Sequence, residues 1–131
     1  MSLANDLKFG LSNEQKVIEV LSRHFNEPIE KTENKYCPYD AFSATCKYEI
    51  KTRRNRYETY PTTIVPQQKV ETIEGNVRYV FCFTNGLYYI DYDEDIFSTF
   101  KVSNITYYRL GAKPNPVPHI EIPIDKLIKI Q

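Results

Sequence analysis

Tyr39-Asp40-Ala41-Phe42-Ser43-Ala44-Thr45-Cys46-Lys47-Tyr48-Glu49-Ile50-Lys51, residues 39–51, is the stretch on which the fold turns. Ala44, Cys46, Tyr48 and Ile50 alternate with Thr45, Lys47, Glu49 and Lys51. That period of two predicts a strand with one apolar face and one charged face. The shorter run from Tyr36 to Phe42 reads as a second extended piece, placed to pair with the first as a hairpin. Glu49 and Lys51 then leave the strand on the same side, roughly 6.5–7 Å apart along it. Asp40 lies on the neighbouring piece. Two carboxylates and one ammonium on a shared face are what phosphodiester hydrolysis requires. Carboxylates hold a magnesium ion that keeps several waters, and a lysine offsets charge that develops at phosphorus.

The elements around this stretch follow from period and punctuation. Ser12 and Gln15 form a capping-box pattern, and Ile18, Leu21 and Phe25 recur at helical spacing. A helix over about 12–25 results, stopped by Asn26-Glu27-Pro28. Glu14 falls on its buried-facing stripe, where a carboxylate needs a use. Arg53 to Thr63 has no period and reads as a loop. Pro66 opens a short helix that closes at Gly75, with Val70 and Ile73 inward. Val77 to Phe83 is the expected buried central strand. Asn85-Gly86 predicts a two-residue hairpin with positive φ, and Leu87 to Tyr92 is the return strand. Asp93-Glu94-Asp95 begins a short helix carrying Ile96, Phe97 and Phe100. A strand at Ile105 to Leu110, a proline-rich loop at Gly111 to Pro118, and a closing strand-then-helix complete the chain. The sum is a single α+β domain over residues 1–131, a central mixed sheet with helices on its flanks.

Composition sets outer bounds. The 131 residues suit one core, with 41% hydrophobic and 26% charged side chains. Seventeen basic residues balance seventeen acidic ones, so bulk charge makes no case for nucleic acid. The distribution is uneven, however: Lys47 to Arg56 holds five bases and one acid, and Asp91 to Asp95 holds four acids. No apolar run is long enough to span a bilayer, which excludes a helical membrane protein. Cys37, Cys46 and Cys82 are odd in number and widely spaced, so buried thiols in a reducing cytoplasm are expected rather than a disulfide framework or zinc site.

Asp40 followed by Glu49-Ile50-Lys51 resembles the D…(D/E)xK signature of the PD-(D/E)XK nuclease superfamily, which includes restriction endonucleases and Holliday-junction resolvases. Tyr39 stands where the family often has Pro, and Pro38 precedes it. The resemblance covers about two-thirds of the chain, by order of elements. It implies a restriction-endonuclease-like fold and a Mg²⁺-dependent DNA endonuclease, with Mn²⁺ as the usual substitute metal. It further implies metal ligation by Asp40, Glu49 and the Ile50 carbonyl. Lys51 would orient the attacking water, and Glu14 would assist the metal. Gln68 or Lys69 would match a polar residue that members carry on the next helix; otherwise both are plain helix surface. Arg53, Arg54 and Arg56, interleaved with Tyr57 and Tyr60, would contact DNA phosphates and bases. A homodimer is compatible with such a domain.

Competing patterns are weaker. Glu14-Gln15-Lys16 also reads acid-x-Lys, but positions two apart on a helix face different ways. Glu33-Asn34-Lys35 lacks a preceding strand aspartate. For Glu49 and Lys51 the plain alternative is a solvated strand face. Two functional rivals follow: a nucleic-acid-binding module on this fold without cleavage, and a protein-interaction domain whose strand charges are only surface.

Overall fold

A computed structural model describes residues 13–108 and 110–131. The expected cap at Ser12 lies outside the described residues. The helix behind it, α1, spans Asn13–Phe25. Its buried stripe is Val17, Ile18 and Leu21, the period of 3.6 expected from the sequence. The chain leaves α1 through Asn26, at φ +52°, a left-handed residue of the kind that ends helices.

Among the described residues nine strands follow, interrupted by short helices. They are β1 (Glu30–Lys31), β2 (Ala41–Phe42), β3 (Lys47–Thr52), β4 (Thr62–Pro66), β5 (Val77–Phe83), β6 (Gly86–Asp91), β7 (Val102–Tyr107), β8 (Asn115–Pro123) and β9 (Ile128–Lys129). Helices α2 (Gln67–Thr72) and α3 (Glu94–Phe97) and a 3₁₀ turn at Ile124–Lys126 complete the set. The protein is α+β, with a six-stranded mixed sheet ordered β1-β2-β3-β5-β6-β9 and a three-stranded sheet ordered β4-β8-β7. β2 and β3 are antiparallel, whereas β3 and β5 are parallel and joined by the crossover through β4 and α2. Among the described residues no helix is long and apolar enough to cross a membrane.

The large sheet is covered on both faces. Tyr48, Val80, Cys82 and Leu87 pack against α1. Tyr79, Phe81, Phe83 and Tyr88 face the other way, onto α2, α3 and the small sheet through Val70, Phe97, Ile120 and Ile122. That double coverage explains why Val77 to Phe83 is an unbroken apolar run. It also means that the charged face of β3 looks into a covered layer rather than into bulk solvent.

Five expectations are corrected. The stretch expected to be loop up to Thr63 turns extended at Thr62, because Thr63 and Val65 pair with β8 and bury inward. The hairpin after β5 turns on Thr84-Asn85, since Phe83 and Gly86 are already partners. Neither turn residue has positive φ. Asn85 spends its side chain instead, accepting from Tyr57 N–H at 2.8 Å and donating to Glu58 at 2.9 Å. Gly86 is needed for closeness, because a Cβ there would stand 3.0 Å from the Gln131 carbonyl oxygen. The strand expected from Ile105 runs Val102–Tyr107, and β8 takes in the proline-rich stretch from Asn115. The chain ends on a 3₁₀ turn and a short strand rather than a helix. Of the cysteines, Cys46 and Cys82 are buried free thiols and Cys37 is half-buried.

Candidate active site

Register is what brings Asp40 to Glu49. Ala41 pairs with Tyr48 and Phe42 with Lys47, and just past the last pair Asp40 N–H bonds the Tyr48 carbonyl, which sets Asp40 at this end of the ladder, close enough for its charge to act on Glu49. Glu27 fixes that register from the far end of the hairpin. Its carboxylate accepts from Ser43 Oγ at 2.6 Å, Thr45 Oγ1 at 2.9 Å and Tyr48 OH at 3.2 Å. Those bonds, the Ser43 hydroxyl first, hold the Glu27 pKa below the ordinary carboxylate value against the opposing effect of burial. Thr32, next to β1, donates its hydroxyl to the Asp40 carbonyl at 3.0 Å and so holds the aspartate from the other side.

Main-chain bookkeeping shows what faces Asp40. Lys47 N–H donates to the Asn76 carbonyl at 2.9 Å and Arg53 N–H to the Cys82 carbonyl at 2.8 Å. Odd-numbered residues of β3 therefore spend their backbone groups on β5, and even-numbered ones turn theirs toward β2. The Tyr48 carbonyl accepts from Asp40 N–H at 2.9 Å. Ile50 N–H, past the end of β2, donates to Asp40 Oδ2 at 2.7 Å. By the same alternation the Ile50 carbonyl opens on that side. The carboxylate of Asp40 thus takes over the edge that β2 leaves unpaired.

Glu49 is 2% exposed, the most deeply buried carboxylate among the described residues. Its Oε1 receives Lys69 Nζ at 3.1 Å and Lys51 Nζ at 3.3 Å. Its Oε2 has no hydrogen-bond partner. Burial raises the Glu49 pKa, and the charge of Asp40 raises it further; the two lysines pull it back without cancelling the rise. Asp40, Glu49, Lys51 and Lys69 form one electrostatic unit with two charges of each sign.

The other expected site residues separate. Glu14 pairs with Lys31 of β1 at 3.6 Å, which corrects its assignment to the metal: α1 packs on the opposite face of the sheet from Glu49. Arg53 is corrected as well. Its Nε donates to Thr63 Oγ1 at 3.2 Å, its terminal nitrogen donates to the Ile64 carbonyl, and its guanidinium lies over Phe81. Desolvation lowers its pKa, and it serves as a strut between the sheets rather than a phosphate contact. Arg54 is exposed, and Arg56 pairs with Glu58 at 2.6 Å. Gln68 is on the exposed side of α2, where its carbonyl accepts from Thr72 Oγ1. Lys69, one residue on, is the α2 residue that reaches the centre. Tyr79, beside Glu49 in the β3–β5 register, went unnoticed in the sequence because parallel pairing leaves no local pattern.

Among the described residues no group of three or more His, Cys, Asp or Glu side chains is arranged around a metal position. A site for a hard cation would have to rest on two carboxylates, a carbonyl and solvent. The free Oε2 of Glu49, Asp40 near it and the Ile50 carbonyl on the same open edge fit that description. Comparison with protein families, with curated proteins and with solved structures found no match for the chain, so the site is read from its geometry.

Proposed function

We propose that the chain is a Mg²⁺-dependent deoxyribonuclease of the PD-(D/E)XK kind. The observation that carries this reading is Glu49: a buried carboxylate with one oxygen held by two lysines, the other unpartnered, and the Asp40 charge close by. The order helix, Asp40, β3 with Glu49-Ile50-Lys51, α2 and a parallel β5 supports it, being the order that the resemblance implies. Asp40, Glu49 and the Ile50 carbonyl would hold the ion. When bound, it supplies a polarised phosphate and an acidified water. Lys51 and Lys69 present ammonium groups beside the same carboxylate. On arrival of a phosphodiester either can turn to the non-bridging oxygens and offset the charge that grows there. Glu49 must be ionised to bind a cation, so its raised pKa makes binding improve with rising pH. Arg54 remains an exposed base after the motif and a candidate phosphate contact. Whether the chain acts as a homodimer, and in the cytoplasm, belongs to the same proposal.

The test is cleavage of single-stranded, duplex and branched DNA with Mg²⁺ or Mn²⁺ by the parent, Asp40→Asn and Lys51→Ala. Cutting by the parent and loss in both variants is expected. A parent inert on all three substrates, or an Asp40→Asn protein that cuts at the parent rate, refutes the proposal.

A further inference from the structure

Two buried polar atoms among the described residues have no hydrogen-bond partner, Glu49 Oε2 and the Tyr79 hydroxyl. They belong to register partners on adjacent parallel strands, so both side chains leave the sheet on one face. Tyr79 is fully buried, and Glu49 nearly so. Tyr48 on the opposite face is equally buried, yet its hydroxyl accepts from Arg78 at 2.7 Å and donates to Glu27 at 3.2 Å. The fold therefore satisfies one inward tyrosine and leaves the other without a partner, on the face where a carboxylate oxygen of its register neighbour also has none. A tyrosine hydroxyl keeps its proton at neutral pH and is therefore a donor. Buried donors and acceptors are seldom left unmade, and a group that can accept from a phenol and donate to a carboxylate is water.

We infer that Tyr79 is a positioning residue of the Glu49 centre: its hydroxyl and Glu49 Oε2 share one solvent molecule that fixes the rotation of the carboxylate. Lys51 and Lys69 hold Oε1, and the shared solvent holds Oε2. A carboxylate oxygen has two lone pairs, so Oε2 can accept from solvent and still face a cation. The inference rests on the reading of Glu49 as a cation ligand.

Tyr79→Phe removes one oxygen and keeps the ring. Its thermal midpoint without metal and its Mn²⁺ affinity by calorimetry are compared with the parent, with Asp40→Asn as control. We expect a lowered midpoint and Mn²⁺ binding weakened about 10- to 100-fold, the usual effect of losing a group that orients a ligand. An unchanged or raised midpoint overturns the inference, because deleting a partnerless hydroxyl should not destabilise. A lowered midpoint with unchanged Mn²⁺ affinity also overturns it, reducing Tyr79 to packing. If the parent and Asp40→Asn bind Mn²⁺ equally or not at all, the proposed metal centre fails, and the inference with it. Loss in Asp40→Asn alongside full binding in Tyr79→Phe removes only the inference.

Discussion

Replacing Lys51 and Lys69 together by Ala leaves Glu49 buried with only the like charge of Asp40 beside it. Removing one partner from a fully buried pair typically costs about 3–5 kcal/mol, and from an exposed pair about 0–1 kcal/mol. Here the lysine side chains are 24% and 37% exposed while Glu49 is 2% exposed. Each single variant also retains the other lysine, so a single loss should cost about 1–2 kcal/mol, between those limits. The double loss has a ceiling, because a carboxyl too costly to keep ionised takes up a proton. Because the parent's Glu49 pKa already lies above an unfolded value near 4.3, that ceiling is below about 3.7 kcal/mol at pH 7 and below about 1 kcal/mol at pH 5. Urea unfolding of the parent, both single variants and the double variant at the two pH values measures it. Glu49→Gln added to the double variant should recover most of the pH 7 loss. If the double variant loses the same amount at both pH values, or Glu49→Gln fails to relieve it, the lysines do not act through the Glu49 charge.

Arg53→Ala should destabilise by about 1–3 kcal/mol in urea unfolding, since it strips partly buried acceptors at Thr63 and Ile64 of a charged donor. Arg54→Ala should stay within about 0.5 kcal/mol and instead lower the slope of DNA affinity against salt; no change in that slope removes it from the interface. Glu49 has a raised pKa, so its contribution to stability is full below the unfolded value and is lost as pH rises through the folded one. The stability of Glu49→Gln relative to the parent should accordingly improve with rising pH, and a flat difference would contradict this. Glu27 has a lowered pKa and the opposite sign: its contribution is present above the unfolded value and is lost as pH falls through the folded one. Glu27→Gln should flatten the acid side of the parent's stability profile. Lys51→Ala should cut DNA about 10²–10³-fold more slowly with the fold retained, and an unchanged rate would make the lysine surface decoration.

What was legible in the sequence had local causes. The stripe Val17, Ile18 and Leu21 and the run Val77 to Phe83 announce α1 and β5 because their periods are set by their own neighbours. Gly75 adopts φ +84°, a conformation that asks for glycine, but the helix expected to close there ends earlier, at Thr72, with Ile73 already extended. Asn85-Gly86 misled because the two-residue signal assumes a turn paid for by backbone conformation. Here the loop from Asn55 to Glu58 folds against Thr84 and Asn85 and holds the turn with side-chain and main-chain bonds. β4 was hidden for a similar reason. Thr62–Pro66 is a strand only because β8 lies beside it, nearly sixty positions further along the chain.

The site divides along the same line. Asp40, Glu49 and Lys51 could be grouped from the sequence because a hairpin brings them together over a dozen residues, and alternation tells which side each takes. Lys69 and Tyr79 join them only through the crossover that sets β5 parallel to β3 and lays α2 over that face. The basic tract shows the converse error. Arg53 and Lys51 look alike as bases two positions apart on an extended chain, and both take the same face. Lys51 finds Glu49, whereas Arg53 is carried past the end of β3 to the edge of β4 and is consumed there. Whether a base is free for a phosphate thus depends on which acceptors the fold has already brought to it. Applied to Lys51 and Lys69, that argument means both are engaged in the structure, and both with one oxygen of one carboxylate. A cation on Glu49 would compete with them for that charge, so metal and phosphate binding should be coupled: filling the carboxylate frees the ammonium groups. DNA affinity of the cleavage-deficient Lys51→Ala protein should therefore rise on adding Ca²⁺, through Lys69, by more than it does in Lys51→Ala/Lys69→Ala. Equal gains in the two proteins would show that Lys69 is not released by the metal.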